Sequence, residues 1–372
     1  MTLTEHAGAL LEIDVDAIVD NWRLLCERHC GGEVAAVVKA DAYGLGAAEI
    51  APQLLRAGCR VFFVATLDEG VALRPLLPEA TIAVLNGLAH RATDEYVAHN
   101  LLPVLGSLAE VAAWTGVARK VGRRLPAILQ LDTGMARLGL AAQEIAILQQ
   151  DPALLRGIEL RAVMTHLVSA ECPDDPLNAE QLRRFAAGCA RLPAAPRSIA
   201  NSSGIFLGSD WLSDLARPGA ALYGINPTPG HPNPMRTVVR LRGRVLRVRE
   251  LNLGESVGYN AAWRAIRPTR IATVGVGYAD GWHRSLSNRG AACFDGKRLP
   301  LVGRVSMDLT TYDITDGPEI GPGAFLELMG PAIPPDEVAQ AAGTNGYEVL
   351  TSLGRRFARH YRRLEEASDL PL

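Results

Sequence analysis

The pattern of apolar residues predicts an α/β fold: an N-terminal (β/α)₈ barrel of the TIM type followed by a C-terminal, mostly β domain. Three observations carry that expectation. Short, near-continuous apolar runs recur between residues 34 and 223, as strands buried on both faces require. Segments with apolar residues at three- and four-residue spacing lie between them. A cluster of Pro227, Pro229, Gly230, Pro232 and Pro234 then breaks the alternation, and strand-like runs separated by turn residues follow.

The eight barrel strands are expected at residues 34–38, 61–65, 82–85, 102–105, 127–131, 160–164, 198–200 and 220–223. Helical spacing occupies 47–56, 67–73, 108–117, 142–150 and 179–191. An open doubly wound sheet is the other arrangement this alternation permits. In the second part, 237–248, 271–276, 291–294, 299–305, 309–314 and 324–328 read as strands, with helices at 335–342 and 347–356. The strand-like residues 9–13 precede the barrel and can pair with the β domain. The domains are placed at residues 10–232 and at 233–372, the latter joined by residues 1–9. No internal repeat or low-complexity tract is visible.

Length alone implies two or three domains, since 372 residues exceed one small core. Apolar content of 48% and charged content of 21% are ordinary for a globular chain. A net charge of −2 and a pI near 6.5 argue against a broad nucleic-acid footprint. Arg355, Arg356 and Arg359 read as a basic helix face. Cys26, Cys30, Cys59, Cys172, Cys189 and Cys293 have no metal-ligand spacing; Cys26 and Cys30 fall on one face of an expected helix, but no paired Cys/His set follows. They read as reduced thiols, so no metal is expected. Residues 1–9 lack the basic start and apolar run of a signal peptide, and no apolar stretch reaches the length of a membrane span. The expected location is cytoplasmic, with no membrane or nucleic-acid partner.

A barrel carries its chemistry at the carboxyl ends of its strands. Lys39 ends the first strand, and burying a lysine is costly unless it serves a purpose. Asp132-Thr133-Gly134-Met135-Ala136-Arg137 follows the fifth strand, Thr165-His166 ends the sixth, Asn201-Ser202-Ser203-Gly204 ends the seventh, and Arg217-Pro218-Gly219 leads into the eighth. Each has an ordinary explanation alone: a snorkelling lysine, a hydrogen-bonded histidine, a helix N-cap, a salt-bridge arginine. Their convergence at one mouth favours a site. Ser202, Ser203 and Gly204 fit a phosphate cradle, and Gly219 allows close backbone approach. A phosphate there and an amine at Lys39 across the mouth point to pyridoxal 5′-phosphate (PLP).

These motifs, together with Val276-Gly277-Tyr278-Ala279-Asp280-Gly281 and Val302-Gly303-Arg304-Val305-Ser306-Met307-Asp308, resemble those of the alanine racemase family over nearly the whole chain. The resemblance implies a PLP enzyme that interconverts L- and D-alanine for peptidoglycan, working as a homodimer whose subunits share active sites. It implies that Lys39 holds PLP as a Schiff base and that Arg217 faces the pyridine nitrogen, with His166 beside it. It places Ser202, Gly219, the backbone of Ala220, and Tyr347 around the phosphate, with Tyr43 and Asn201 nearby. Arg137 would contact the cofactor and the substrate carboxylate. Tyr278 and Met307 would come from the other subunit, Tyr278 as the second base and Met307 through its backbone as a carboxylate ligand.

Two positions depart from the family pattern. Gln130 stands where many members have a carbamylated lysine, so no carbamate is expected; a small anion fills that role, or Arg137 is held less rigidly. Ser306 replaces a cysteine found in some members, a change of little expected consequence. A PLP racemase of wider amino-acid range, a related decarboxylase and a non-enzymatic PLP-carrier barrel are the alternatives. The Gly-Tyr-Ala-Asp motif disfavours the decarboxylase, and the β domain disfavours the carrier.

Overall fold

Strand β1 (Ala9–Asp14) leads into a barrel in the computed structural model, which describes residues 6–89 and 91–363. The first barrel strand is β2 (Glu33–Val34) continued past Ala35 as β3 (Ala36–Val37). Then come β4 (Val61–Val64), β5 (Thr81–Val84), β6 (Leu101–Leu105), β7 (Leu125–Gln130), β8 (Ile158–Met164), β9 (Arg197–Ser198) and β10 (Leu215–Ala216). Strands β3 to β9 form one parallel sheet in chain order, and β10 pairs in parallel with β2. The ring closes through single contacts. Arg217 N–H donates to the Ala200 carbonyl (2.9 Å), and the N–H groups of Ala35 and Val37 donate to Ala216 and Pro218 (2.9 and 3.0 Å). The closed barrel, not the open doubly wound sheet, is the architecture.

Strand alternation divides the apolar residues. Val37, Phe63, Val104, Ile128, Met164 and Leu215 belong to one cluster, the barrel interior. Their neighbours Ala36, Phe62, Leu105 and Leu129 join the larger core shared with the helices.

The eighth strand departs from expectation. Residues 220–223 are a 3₁₀ turn, Ala220–Tyr223, bounded by Gly219 and Gly224. Tyr223 is buried and donates its hydroxyl to the Val37 carbonyl (2.9 Å). An apolar run marks burial and does not separate a buried turn from a buried strand. The strand itself is β10, so Arg217-Pro218-Gly219 follows it and stands at its carboxyl end.

Three barrel helices repeat one device although the sequence shows no repeat. Helices Leu67–Leu73, Leu108–Val121 and Ala142–Gln150 each carry a glutamate at the third position. One carboxylate oxygen of Glu69, Glu110 and Glu144 accepts an N–H at its own helix start: Ala65 (2.7 Å), Gly106 (2.7 Å) and Ala141 (2.9 Å). The other oxygen reaches back to the preceding βα unit, at a loop or a helix start: Ala40 (2.6 Å), Leu88 (3.0 Å) and Leu108 (3.0 Å). The capping glutamate thereby also staples neighbouring loops at the barrel mouth.

The second unit is built on β11 (Val239–Leu251), followed by the hairpin β12 (Ser256–Val257) and β13 (Trp263–Arg264), then β14 (Thr269–Val274), β15 (Ala291–Phe294), β16 (Lys297–Pro300), β17 (Thr310–Asp313), β18 (Phe325–Met329) and β19 (Ala358–Arg362). β11 pairs with β1, β14 and β18, so the amino-terminal strand does join this sheet. β19 lies parallel to β1 and was not expected; its Ala-Arg-His-Tyr-Arg sequence carries no apolar run. The stretch 299–305 leaves its ladder after Pro300, and Gly303 turns at φ 81°.

The last helix is Gly346–Ser352, shorter than expected. Gly354 N–H donates instead to the Asp280 carbonyl (2.8 Å). Arg355 and Arg356 therefore lie beyond the helix and Arg359 lies in β19, so they are not one helix face. Helix Val15–Arg28 likewise stops short of Cys30. All six cysteines are unpaired.

Candidate active site

A cavity of about 640 Å³ opens at the carboxyl ends of the barrel strands. Lys39, Tyr43, Arg137, His166, Asn201, Ser202, Arg217, Gly219, Ala220 and Tyr347 all line it. Tyr278 and Met307 do not: they lie on the β unit with 42% and 54% of their surface exposed. In the single chain, ten of the expected residues are thus together and two are elsewhere.

Lys39 leaves the first strand through an unusual backbone. Ala40, Asp41, Ala42 and Tyr43 all have φ between 52° and 57°, one turn of left-handed helix. That conformation costs roughly 1–2 kcal/mol per residue for side-chain-bearing positions, so it needs outside support. Glu69 takes the Ala40 N–H, Asp41 takes the Ala47 N–H (2.7 Å), and the Tyr43 ring lies 4.8 Å from that of Tyr223. The turn brings Tyr43 against Gly219, where a Cβ would sit 2.3 Å from the Tyr43 hydroxyl. Gly219 is therefore required by close approach.

Ser202 and the start of the Ala220–Tyr223 turn meet beside it. The Ser202 hydroxyl accepts the N–H groups of Gly219 and Ala221 (both 3.1 Å), and Asn201 Oδ1 accepts that of Gly204 (2.9 Å). Backbone N–H groups and hydroxyls therefore gather at one end of the cavity, the chemistry of an oxyanion cradle.

Arg217 is 4% exposed and donates to the Thr165 carbonyl and the Ser198 hydroxyl, with no carboxylate partner among the described residues. Burial pulls its pKa down to about 10, which still leaves it charged at neutral pH. His166 borders the cavity; burial, then Arg217, Arg137 and Lys39, holds it down to about 3, so its ring is neutral. Lys39 is lowered by burial and then by Arg137, with Glu69 opposing. Arg137, Arg217 and Lys39 converge on this cavity, whose lining carboxylates are Glu171 and Glu348, and among the described residues no His/Cys/Asp/Glu cluster could hold a metal. The donor set fits PLP: anionic at its phosphate and phenolic oxygens, with an aldehyde for the lysine.

At the position where the resemblance expects a modified lysine, Gln130 makes its hydrogen bond away from Arg137. Gln130 turns its amide nitrogen to the Leu138 carbonyl (3.2 Å), while Arg137 is exposed. Asp132 Oδ1 shapes the loop by accepting the N–H groups of Gly134 and Ala136 (2.9 and 3.1 Å). Beneath it lies a group the sequence did not reveal. Gln181, fully buried, donates to the Thr133 hydroxyl and the His166 carbonyl (both 2.9 Å). Thr133 contacts Thr165 (2.7 Å), which donates to the Leu131 carbonyl (2.9 Å). This network ties the Arg137 loop to the end of β8. The available signal was an amide at a core position of helix Pro176–Cys189.

The Tyr278 and Met307 loops lie against each other. Tyr278 N–H donates to Ser306 and Ala279 N–H to Met307 (both 2.9 Å). A Cβ at Gly277 would come within 2.4 Å of both carbonyls, so only glycine allows this packing. The Ser306 hydroxyl donates to the Leu309 carbonyl (2.9 Å) within the loop.

A barrel with a lysine ending its first strand, an arginine ending its eighth and a phosphate cradle between them is the framework of a PLP-dependent barrel enzyme. Models of the alanine racemase N-terminal and C-terminal domains match residues 13–227 and 238–361, and the chain belongs to the alanine racemase family. It is 58% identical to an alanine racemase of Acidiphilium cryptum, over 94% of this chain and 97% of that protein. It is 50% identical to one from Rhodospirillum rubrum, over 98% of each. Among solved structures it resembles the Bartonella henselae alanine racemase with covalently bound pyridoxal phosphate: TM-score 0.93, 43% identity, 96% of this chain and all of that one.

Proposed function

We infer that this chain is a PLP-dependent racemase that interconverts L- and D-alanine using one base on each face of Cα. The observation that carries this is the junction of Lys39, Arg137, His166 and Arg217 with the Ser202–Gly219 cradle in one cavity. PLP supplies the electron sink that makes a Cα proton of a bound amino acid removable. Lys39 is assigned the proton at one face and Tyr278 of a second subunit the proton at the other. Arg217 keeps its own proton, so it would donate a hydrogen bond to the pyridine nitrogen of bound PLP without protonating it. The bound ring would then be a weaker electron sink, which would disfavour transamination. Neutral His166 donates no extra charge, and Arg137 takes the substrate carboxylate together with the Met307 backbone. Ser202, Gly219, Ala220, Asn201, Tyr43 and Tyr347 are assigned to the phosphate end.

The assembly consistent with this is a homodimer, because Tyr278 and Met307 face outward from their own chain. The division into units is placed at residues 10–232 and 233–372, the latter joined by residues 1–9. Among the described residues no helix is long and apolar enough to cross a membrane, and the unpaired thiols suit a reducing compartment, so the enzyme is assigned to the cytoplasm. Supply of D-alanine to peptidoglycan is the corresponding role.

The test is circular dichroism of L-alanine incubated with the PLP-loaded protein in D₂O. Decay of the signal to zero with deuterium entering Cα is expected. Deuterium exchange with chirality retained means one base alone works. Absence of both, with alanine and with serine, lysine and arginine, rules the activity out.

A further inference from the structure

Arg356 lies outside the cavity, in the turn between helix Gly346–Ser352 and β19. Its guanidinium forks. Nε meets Asp280 Oδ1 (2.7 Å) and Nη2 meets Oδ2 (3.4 Å), while Nη1 meets Asp308 Oδ1 (2.7 Å). Asp280, 3% exposed, lies two residues after Tyr278 and accepts the Gly277 N–H (2.9 Å). Asp308 directly follows Met307.

The same corner is packed onto the helix that carries Tyr347. A Cβ at Gly281 would lie 1.7 Å from the Ser352 carbonyl, Gly354 N–H donates to Asp280, and His283 Nε2 meets the Ser352 hydroxyl (3.2 Å). A continuous body therefore runs from Tyr347 in one cavity to Tyr278 and Met307 on the outer surface.

We propose that Arg356 is a positioning residue for racemisation, fixing the Tyr278 and Met307 loops relative to each other and to the helix that carries Tyr347. The proposal rests on Tyr278 being a base and Met307 a carboxylate ligand in the site of a second subunit. Without the fork, the Asp280 carboxylate loses its cationic partner, and the Met307 loop is joined to the Tyr278 turn by backbone hydrogen bonds alone. A lysine cannot replace it: one ammonium lacks the planar pair of donor edges that spans two carboxylates. Small displacements at a reacting atom are costly in rate, about a hundredfold for 1 Å.

The experiment follows Cα deuterium exchange of each alanine enantiomer in D₂O by NMR, for the PLP-loaded wild type, Tyr278→Phe, Arg356→Lys and Asp308→Asn. PLP absorbance and sedimentation are recorded for each. Tyr278→Phe tests the underlying assignment: it should abolish exchange of one enantiomer and spare the other, which Lys39 serves. Exchange of both at wild-type rates in that variant overturns the assignment and the proposal with it. Where Tyr278→Phe behaves as expected, Arg356→Lys should lose about ten- to a hundredfold on the same enantiomer, retain the other, and keep its PLP absorbance and sedimentation. Asp308→Asn, which keeps the buried Asp280 pair, should show a smaller loss on that enantiomer. Wild-type exchange of both enantiomers in Arg356→Lys, or an equal fall in both, overturns the proposal.

Discussion

His166 is the residue whose environment has the plainest consequence outside catalysis. Its pKa is held at about 3 in the folded chain against 6.5 in the unfolded one. The unfolded chain therefore binds a proton that the folded chain refuses as pH falls from 6.5 towards 3. Stability due to a neutral His166 is complete above 6.5 and declines through that window, with a limiting slope of about 1.4 kcal/mol per pH unit. Denaturant unfolding of the cofactor-free protein should show that decline, and His166→Asn should show less of it; identical pH dependence in both would refute it. A second expectation concerns Gly219. Gly219→Ala puts a methyl 2.3 Å from the Tyr43 hydroxyl, so PLP retention, read from visible absorbance after dialysis, should fall while the fold persists. At this scale the sequence was highly informative, because strand-end positions in a barrel are few and Lys39, Arg137, His166, Ser202 and Arg217 fall on them. Gln181 was hidden, since a buried amide looks like any polar residue on a helix until its partners are known.

Between residue and domain, the capping glutamates explain how a strained turn is kept. Glu69→Ala leaves the N–H groups of Ala40, Ala65 and Thr66 without their acceptor. Hydrogen bonds to a charged group are worth about 1.5–3 kcal/mol each when sheltered, and partial exposure here reduces the total to about 1–3 kcal/mol. Glu144→Ala removes the equivalent staple away from Lys39. Both variants should lower the urea midpoint, but only Glu69→Ala should weaken PLP retention, because only it releases the left-handed turn beside the lysine. Equal retention in both would separate the staple from the cofactor site. Elements with strong apolar periodicity were legible, as β4, β5 and β8 show. β10 was missed because only Leu215 and Ala216 pair there, whereas the following run is more apolar and folds as a turn. β19 was invisible for a related reason, since its partner β1 lies at the other end of the chain, and the β12–β13 hairpin because each of its strands is only two residues long.

The largest consequence belongs to the molecule as an assembly. Lys39 lines the cavity of its own chain, whereas Tyr278 faces outward, half-exposed, on a loop of the β unit. If each site takes its lysine from one subunit and its tyrosine from the other, two different defects can be separated by mixing. Lys39→Ala and Tyr278→Phe homodimers are each expected to be inactive as racemases. A heterodimer of the two has one site with both defects and one with neither, because the intact Lys39 of one chain then faces the intact Tyr278 of the other. After random re-pairing of equal amounts, half of the dimers are mixed and each carries one good site of two, so activity should return to roughly a quarter of wild type for a twofold-symmetric pair. Sites completed within one chain would return nothing, whatever the ratio of the two variants. The measurement is racemase activity after partial unfolding and re-association, with sedimentation to establish that dimers have re-formed. Activity that rises and falls with the mole fraction of the mixed dimer identifies the shared site; activity absent throughout, with dimers present, means that no site is completed across the subunit boundary.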